Sequence, residues 1–245
     1  MSQKLEQLAR DEAFMARALA LAERGTGWTS PNPLVGAVIV KDGRIIGEGW
    51  HTACGQPHAE REALAACDED PAGSTLYVTL EPCCHWGKTP PCTDAILEAG
   101  IARVVVGALD PNPLVAGQGC AQLREAGTVV ETGVLEEGCR HLNEVFFHFI
   151  TTGRPLVVLK YAMTLDGKAA TRTGASRWIT GPEARERVHR DRHRFAAIMV
   201  GIGTALADDP ALTCRLEGGP WRQPLRIVVD SQGRLPLDAL LVRTA

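Results

Sequence analysis

The feature that most constrains this chain is an alternation. Short runs rich in valine, isoleucine and leucine take turns with segments whose apolar residues recur at helical spacing. DEAFMARALALAER predicts a first helix from Asp11 to Arg24, with Phe14, Ala18, Leu21 and Ala22 on one face and Gly25 as its stop. LVGAVIV and RIIGEGW predict two strands joined by the turn Lys41-Asp42-Gly43, a hairpin. Helix patterns then follow at HAEREALAAC, CTDAILEAG and CAQLREAG, with strand patterns at STLYVTL and ARVVVGAL between them. VLEEGCRHLNEVFFHFI predicts one longer amphipathic helix. Strands and helices in this order predict a largely parallel sheet covered on both faces, opened by a hairpin.

At TTGRP, residues 151–155, the pattern starts again. LVVLKYAMTLDGK is expected to open with a strand, ERVHRDRHRF to form a helix, AAIMVGIGT a strand followed by a glycine turn, and LRIVVD a further strand. With 245 residues the chain has room for two domains, expected at 1–150 and 154–245. The net charge of −3 and the aromatic content of 5% speak against a nucleic-acid surface. No apolar run is long enough to span a bilayer, and MSQKLEQLAR lacks the apolar core of a secretory signal. Eight scattered cysteines without such a signal are expected as reduced thiols in a cytoplasm, some of them free to hold metal.

The metal expectation comes from EPCCHWGKTPPC, residues 81–92, together with PHAE at 57–60. His58 and Glu60 fall at the start of a helix, Cys83 just beyond a strand, and Cys92 at the start of the next helix. In an α/β sheet, strand carboxyl ends and following helix starts meet in one crevice, so His58, Cys83 and Cys92 can converge on one zinc ion. Three ligands leave a tetrahedral position for water, as a catalytic zinc site requires. The order H-x-E, then P-C, then a second cysteine is that of zinc nucleobase deaminases, whose glutamate is the acid/base; Glu60 takes that place. The competing possibility is a closed structural site completed by Cys84 or His85, but such a site has no use for Glu60.

Residues around this centre carry less specific readings. His85, Lys88 and Thr89 can donate to phosphate oxygens, or simply belong to a solvated loop. Asn32 in SPNPLVG is either a hydrogen-bond partner for a heterocycle or a turn residue between prolines. His51 in GWHTACG is equally a substrate contact or a strand-end histidine.

Taken in order, SPNPLVGAVIV, GWH-x6-HAE, TLEPCCHWGKTPPC and ALDPNPLVAG resemble the bifunctional deaminase/reductase of riboflavin biosynthesis. RPLVVLKYAMTLDGKAAT, SRWITG and AIMVGIGTALADDPALTCR are similar to its reductase half. The resemblance implies a cytidine-deaminase-like three-layer α/β/α domain followed by a partial dihydrofolate-reductase-like α/β domain. It implies zinc on His58, Cys83 and Cys92, and Glu60 as the residue that moves protons. The first domain would remove the 2-amino group of 2,5-diamino-6-ribosylamino-4(3H)-pyrimidinone 5′-phosphate, with Asn32, His51, His85, Lys88 and Thr89 on the substrate. The second would use NADPH to reduce the product's ribose, with Ala162, Trp178, Thr204, Asp208 and Ser231 on the cofactor. Lys160, Ser176, Arg192, Leu212 and Arg215 would face the reductase substrate.

In the family the reductase half continues past the position corresponding to Ala245, so a partial second domain with weak or absent reduction is expected. The expected partner is a phosphorylated pyrimidine, with no nucleic acid and no membrane, and the chain is expected to self-associate. Three alternatives stand beside this reading. They are a deaminase with an inactive reductase remnant, a zinc deaminase of nucleic acid or nucleobases, and a zinc-stabilised scaffold with a silent pocket.

Overall fold

The computed structural model describes residues 2–86, 90–112 and 115–245, which divide into two units, 1–156 and 157–245. In the first unit the elements run α1 (Ser2–Ala22), β1 (Gly36–Lys41), β2 (Arg44–Trp50), α2 (Ala59–Ala65), β3 (Thr75–Leu80), α3 (Cys92–Glu98), β4 (Arg103–Ala108), α4 (Gln118–Glu125), β5 (Val129–Thr132), α5 (Glu136–Leu142) and α6 (Glu144–Thr152). The strands form one sheet in the order β2-β1-β3-β4-β5. Its hairpin half is antiparallel (β1 with β2 and with β3), whereas β3–β4 and β4–β5 are parallel. The sheet is therefore evenly mixed rather than largely parallel, because β1 pairs antiparallel with both of its neighbours.

Strand alternation divides the core into two layers. Ala37, Ile39, Leu76, Val78, Val104 and Val106 point to one face, where Ala59 and Ala63 of α2, Ile96 of α3 and Leu123 of α4 cover them. Val38, Val40, Tyr77 and Val105 point to the other, under Met15, Ala18 and Leu21 of α1, Cys139 of α5 and Phe147 of α6. This is a three-layer α/β/α unit. Each large aliphatic side chain that it buries contributes about 2 kcal/mol. Glycines let the helices sit close: a Cβ at Gly36 would lie 2.0 Å from the Ala18 carbonyl oxygen, and one at Gly49 would lie 2.3 Å from the Ala63 nitrogen.

Three expectations are corrected here. Helix α1 begins well before Asp11, because the residues upstream are good helix formers although their leucines, Leu5 and Leu8, stay exposed. The single helix expected over 134–150 is two helices meeting at Asn143 (φ −103°, ψ 22°), whose side chain bonds to the backbone of Leu34 instead of facing solvent. Strand β5 was not anticipated; it is a four-residue edge strand whose residues are mostly exposed, so it lacks an apolar pattern.

The second unit contains α7 (Pro182–Arg194), β6 (Ala197–Gly201), α8 (Ile202–Asp208), β7 (Leu225–Val229) and α9 (Leu240–Arg243). Strands β6 and β7 are parallel, and Ile202, Ala205, Leu212 and Leu241 pack as a small core with Ile198, Val200 and Val228 against it. The strand expected in LVVLKYAMTLDGK does not form. Residues 156–164 have no ladder partner among the described residues, and a strand exists only where another supplies its hydrogen bonds. Among the described residues no helix is long and apolar enough to cross a membrane.

One polar group crosses the first unit. Arg103 donates to both Asp11 carboxylate oxygens at 2.9 and 2.7 Å, and Tyr77 Oη donates to Asp11 Oδ1 at 2.7 Å, tying α1 to β3 and β4. Burial by itself would raise the Asp11 pKa, but the hydrogen bonds from Arg103 and Tyr77 and the Arg103 charge outweigh it and hold the carboxyl below its ordinary 3.8. A depressed folded-state pKa gives stability that is complete above the unfolded value and lost as pH falls through the folded one. Asp11→Asn is expected to cost about 2 kcal/mol at pH 7, the scale of hydrogen bonds to a charged group. Hydrogen exchange at the β4 amides should report that loss at pH 7 and show it shrinking as pH falls below 3.8.

Candidate active site

The carboxyl end of β3 and the starts of α2 and α3 meet at one point. His58 is the residue before the first turn of α2, in extended backbone geometry (φ −75°, ψ 162°). Cys83 lies three residues beyond β3, and Cys92 opens α3. The Cys92 N–H donates to the Cys83 carbonyl at 3.0 Å, and the Thr93 N–H donates to it at 3.2 Å, which closes the 83–92 connection onto itself. His58 Nδ1 lies 3.4 Å from both Cys83 Sγ and Cys92 Sγ, and the three donor atoms are all within 4.8 Å of one another.

The donor set fits zinc. Bonds of about 2.3 Å to sulfur and 2.0–2.1 Å to nitrogen, at the tetrahedral angle, separate nitrogen from sulfur by about 3.6 Å. Both His58-to-cysteine separations are 3.4 Å. The Cys83 thiol is pulled down toward thiolate, first by the hydrogen bond from the Cys92 thiol and then by His58 and the Cys92 N–H. Neither Cys84 nor His85 joins this donor group, so among the described residues nothing closes the fourth position.

Glu60, in the first turn of α2, is 3% exposed. Burial, and next the nearby Cys83, push its pKa up to about 7. It opens onto a cavity of about 290 Å³ that also takes in His58, Cys83, Asn32, His51 and His85. His51 Nδ1 donates to the Pro57 carbonyl at 3.0 Å, which leaves Nε2 to accept from Asn32 Nδ2 at 3.1 Å. Burial lowers the His51 pKa and favours this neutral, two-bonded form. Pro33, Val35, Leu80 and Phe146 give the cavity its apolar wall.

The structure thus gathers His58, Cys83, Glu60, Asn32, His51 and His85 at one cavity, with Cys92 completing the donor group of His58 and Cys83. Lys88 and Thr89 lie outside the described residues. Sequence reasoning missed Asp110, Glu81 and Phe146, which line the same cavity. Asp110 could have been found from its position just beyond β4, the strand beside β3; its pKa is raised by burial. Glu81 is 4% exposed and accepts backbone N–H groups from Asp110, Gly117 and Cys120 at 3.2, 2.9 and 3.1 Å. Phe146 carried no signal, since it lies far along the chain on α6.

In the second unit Thr204 and Asp208 lie on α8, directly after β6, and Ser231 follows β7, so all three sit at the carboxyl side of two adjacent parallel strands. Arg192 Nη1 donates to the Thr213 carbonyl at 3.0 Å and Arg215 Nη1 to Thr213 Oγ1 at 3.0 Å, which brings Arg192, Leu212 and Arg215 together. Burial, and next the Arg215 charge, lower the Arg192 pKa. Arg177, between Ser176 and Trp178, pairs with Asp208 at 3.9 Å, and Trp178 stacks under Arg185. Lys160 and Ala162 lie on the unpaired 156–164 stretch, and no hydrogen bond or ion pair among the described residues joins either to these groups.

Residues 8–108 match the cytidine and deoxycytidylate deaminase zinc-binding region, and residues 155–245 match the RibD C-terminal domain. The structure of Acinetobacter baumannii RibD superposes with a TM-score of 0.90 at 47% identity, covering 96% of this chain and 67% of that one. The chain belongs to the RibD family. Riboflavin biosynthesis protein RibD of Actinobacillus pleuropneumoniae is 58% identical over 235 residues, which are 96% of this chain and 62% of that protein. A deaminase/reductase structure from Thermotoga maritima matches with a TM-score of 0.89 at 52% identity, over 94% of this chain and 65% of that one. The chain spans 62–65% of the length of the first curated RibD relatives it matches.

The thiols of the first unit should differ in reactivity. Cys120 and Cys139 are buried, and burial pushes each up to about 12, whereas Cys83 is pulled toward thiolate and partly exposed. In metal-stripped protein, iodoacetamide at mildly acidic pH is expected to alkylate Cys83 before Cys120 and Cys139, as read by peptide mass mapping.

Proposed function

We propose that the first unit is a zinc-dependent deaminase that replaces the 2-amino group of 2,5-diamino-6-ribosylamino-4(3H)-pyrimidinone 5′-phosphate with oxygen. The observation that carries this reading is the convergence of His58, Cys83 and Cys92, with buried Glu60 opening onto the same cavity. In this reading the two thiolates and the imidazole hold zinc. When bound, zinc supplies the acidification of water that makes a nucleophile available at neutral pH. Glu60 does the proton work: its carboxylate accepts a proton from the attacking water and returns it to the departing nitrogen, so that ammonia leaves. A carboxyl whose pKa is pushed to about 7 can both accept and release a proton near neutrality.

The rest of the cavity orients the ring. Asn32 spends its amide N–H on His51, and its Oδ1 has no protein donor among the described residues, so it is placed to accept from a heterocycle N–H. Neutral His51 keeps that arrangement, because a protonated Nε2 would point a second donor at the Asn32 amide. His85 at the cavity edge, with Lys88 and Thr89, is assigned to the phosphate.

For the second unit the same reading assigns NADPH to Ala162, Trp178, Thr204, Asp208 and Ser231. Lys160, Ser176, Arg192, Leu212 and Arg215 are assigned to the ribosyl phosphate. The Arg192–Arg215 pair supports it, since two cations held at one threonine suit an anionic substrate. In this reading the protein is a cytoplasmic, self-associating enzyme, and the exposed apolar residues Leu225 and Val229 on β7 support the association.

Mass spectrometry of the diaminopyrimidinone phosphate after incubation with protein and NADPH tests both halves. Exchange of an amine for oxygen is expected from the first unit, and any further gain of a hydride and a proton measures reduction by the second. Glu60→Gln is expected to retain zinc and lose at least about a hundredfold in turnover. A variant that keeps its turnover removes Glu60 from the chemistry, and unchanged substrate with zinc-loaded wild type overturns the deaminase reading.

A further inference from the structure

Residues 109–154 lie between the two matched regions, and the end of that stretch reaches back to the cavity. Asn143, at the junction of α5 and α6, is 3% exposed. Its Oδ1 accepts the Leu34 N–H at 2.7 Å, and its Nδ2 donates to the Leu34 carbonyl at 2.8 Å. One amide therefore satisfies both backbone groups of a residue 109 positions earlier. Only a side chain with an acceptor and a donor side by side can do this; aspartate keeps the acceptor and loses the donor.

Leu34 is the middle of the cavity wall. Pro33 and Val35 on either side of it line the cavity, and the Val35 carbonyl accepts the His51 N–H at 2.9 Å. Residues 32–35 precede β1 and belong to no ladder, so the sheet does not fix their position. The Asn32 N–H bond to the Thr29 carbonyl at 2.8 Å and the Val35–His51 bond hold the two ends of this stretch, and the grip of Asn143 holds Leu34 between them, next to the place at which Asn32 meets His51. Phe146, one helical turn beyond Asn143, adds its ring to the same cavity.

We propose that Asn143 is a positioning residue of the site, holding the 32–35 wall in the register that lets Asn32 bond His51 and face the substrate ring. The kinetic part of this inference rests on the deaminase reading above; the structural part does not. The loss should fall on substrate binding, because Asn143 touches neither Glu60 nor the His58–Cys83–Cys92 group among its hydrogen bonds.

The test uses the full chain with Asn143→Asp, Asn143→Ala and, as a control on the same helix, Val145→Ala at a 39% exposed position. Zinc content, steady-state kinetics on the diaminopyrimidinone phosphate, and the imidazole nitrogen signals of His51 are measured for each. Both Asn143 variants are expected to keep zinc, raise KM by about tenfold or more, and change kcat by less than about threefold. Their His51 signals should move, while Val145→Ala leaves all three readouts as in wild type. Unchanged KM with unmoved His51 signals overturns the proposal. So does a parallel loss of zinc and kcat, or misfolding of both Asn143 variants beside a folded control, since each makes Asn143 a structural residue. If wild type does not deaminate the compound, the functional reading falls, and the His51 signals alone decide this inference.

Discussion

The close seating of α2 on the hairpin is the contact on which the site depends. At Gly49 a Cβ would lie 2.3 Å from the Ala63 nitrogen, and at Gly47 it would lie 2.4 Å from the Ala63 carbonyl oxygen. Larger residues would push the helix off the sheet, and α2 carries His58 at its start and Glu60 in its first turn. The same layer presses α3 against β3 and β4 through Ile96, which carries Cys92 to His58. An apolar packing distance thus sets the spacing of three metal-competent atoms. The helices involved are short, seven residues each, and owe their stability to this packing rather than to their own propensity.

The polar groups buried near this contact have distinct means of support. Glu81 is held by three backbone N–H groups, a stable seat for a carboxylate at the start of α4. Glu60 has no such set of donors, and burial lifts its pKa toward neutrality. Two glutamates in the same cavity thus have different surroundings: Glu81 is fixed by backbone hydrogen bonds, and Glu60 is buried in a way that lifts its pKa. On the far side of the sheet, Asp11 and Arg103 tie α1 down with a charged pair that is nearly closed to solvent.

Much of this was legible beforehand because it rests on local rules. Short runs rich in valine, isoleucine and leucine marked β1–β4, and H-x-E followed by the two cysteines marked the donor group, since strand ends and helix starts share a crevice. What was missed depends on contacts distant in sequence. Asn143 sits inside an unbroken apolar pattern, and only its bonds to Leu34 reveal the helix break. β5 is too short and too exposed to carry a pattern, and residues 156–164 carry a strand pattern without a partner to pair with.

The sequence by itself determined the alternation that builds a covered sheet, and it named the three donor residues and the glutamate that the fold brings together. Each follows from residue type and spacing along a few tens of residues. Only the tertiary structure decided that Asn32 meets His51, that Asp110 and Phe146 complete the cavity, and that Asn143 holds its wall. The physical reason is that contacts between separate stretches of chain, 19 residues apart for Asn32 and His51 and 109 for Leu34 and Asn143, leave no periodic trace in the sequence. Their partners become neighbours only when the layers close.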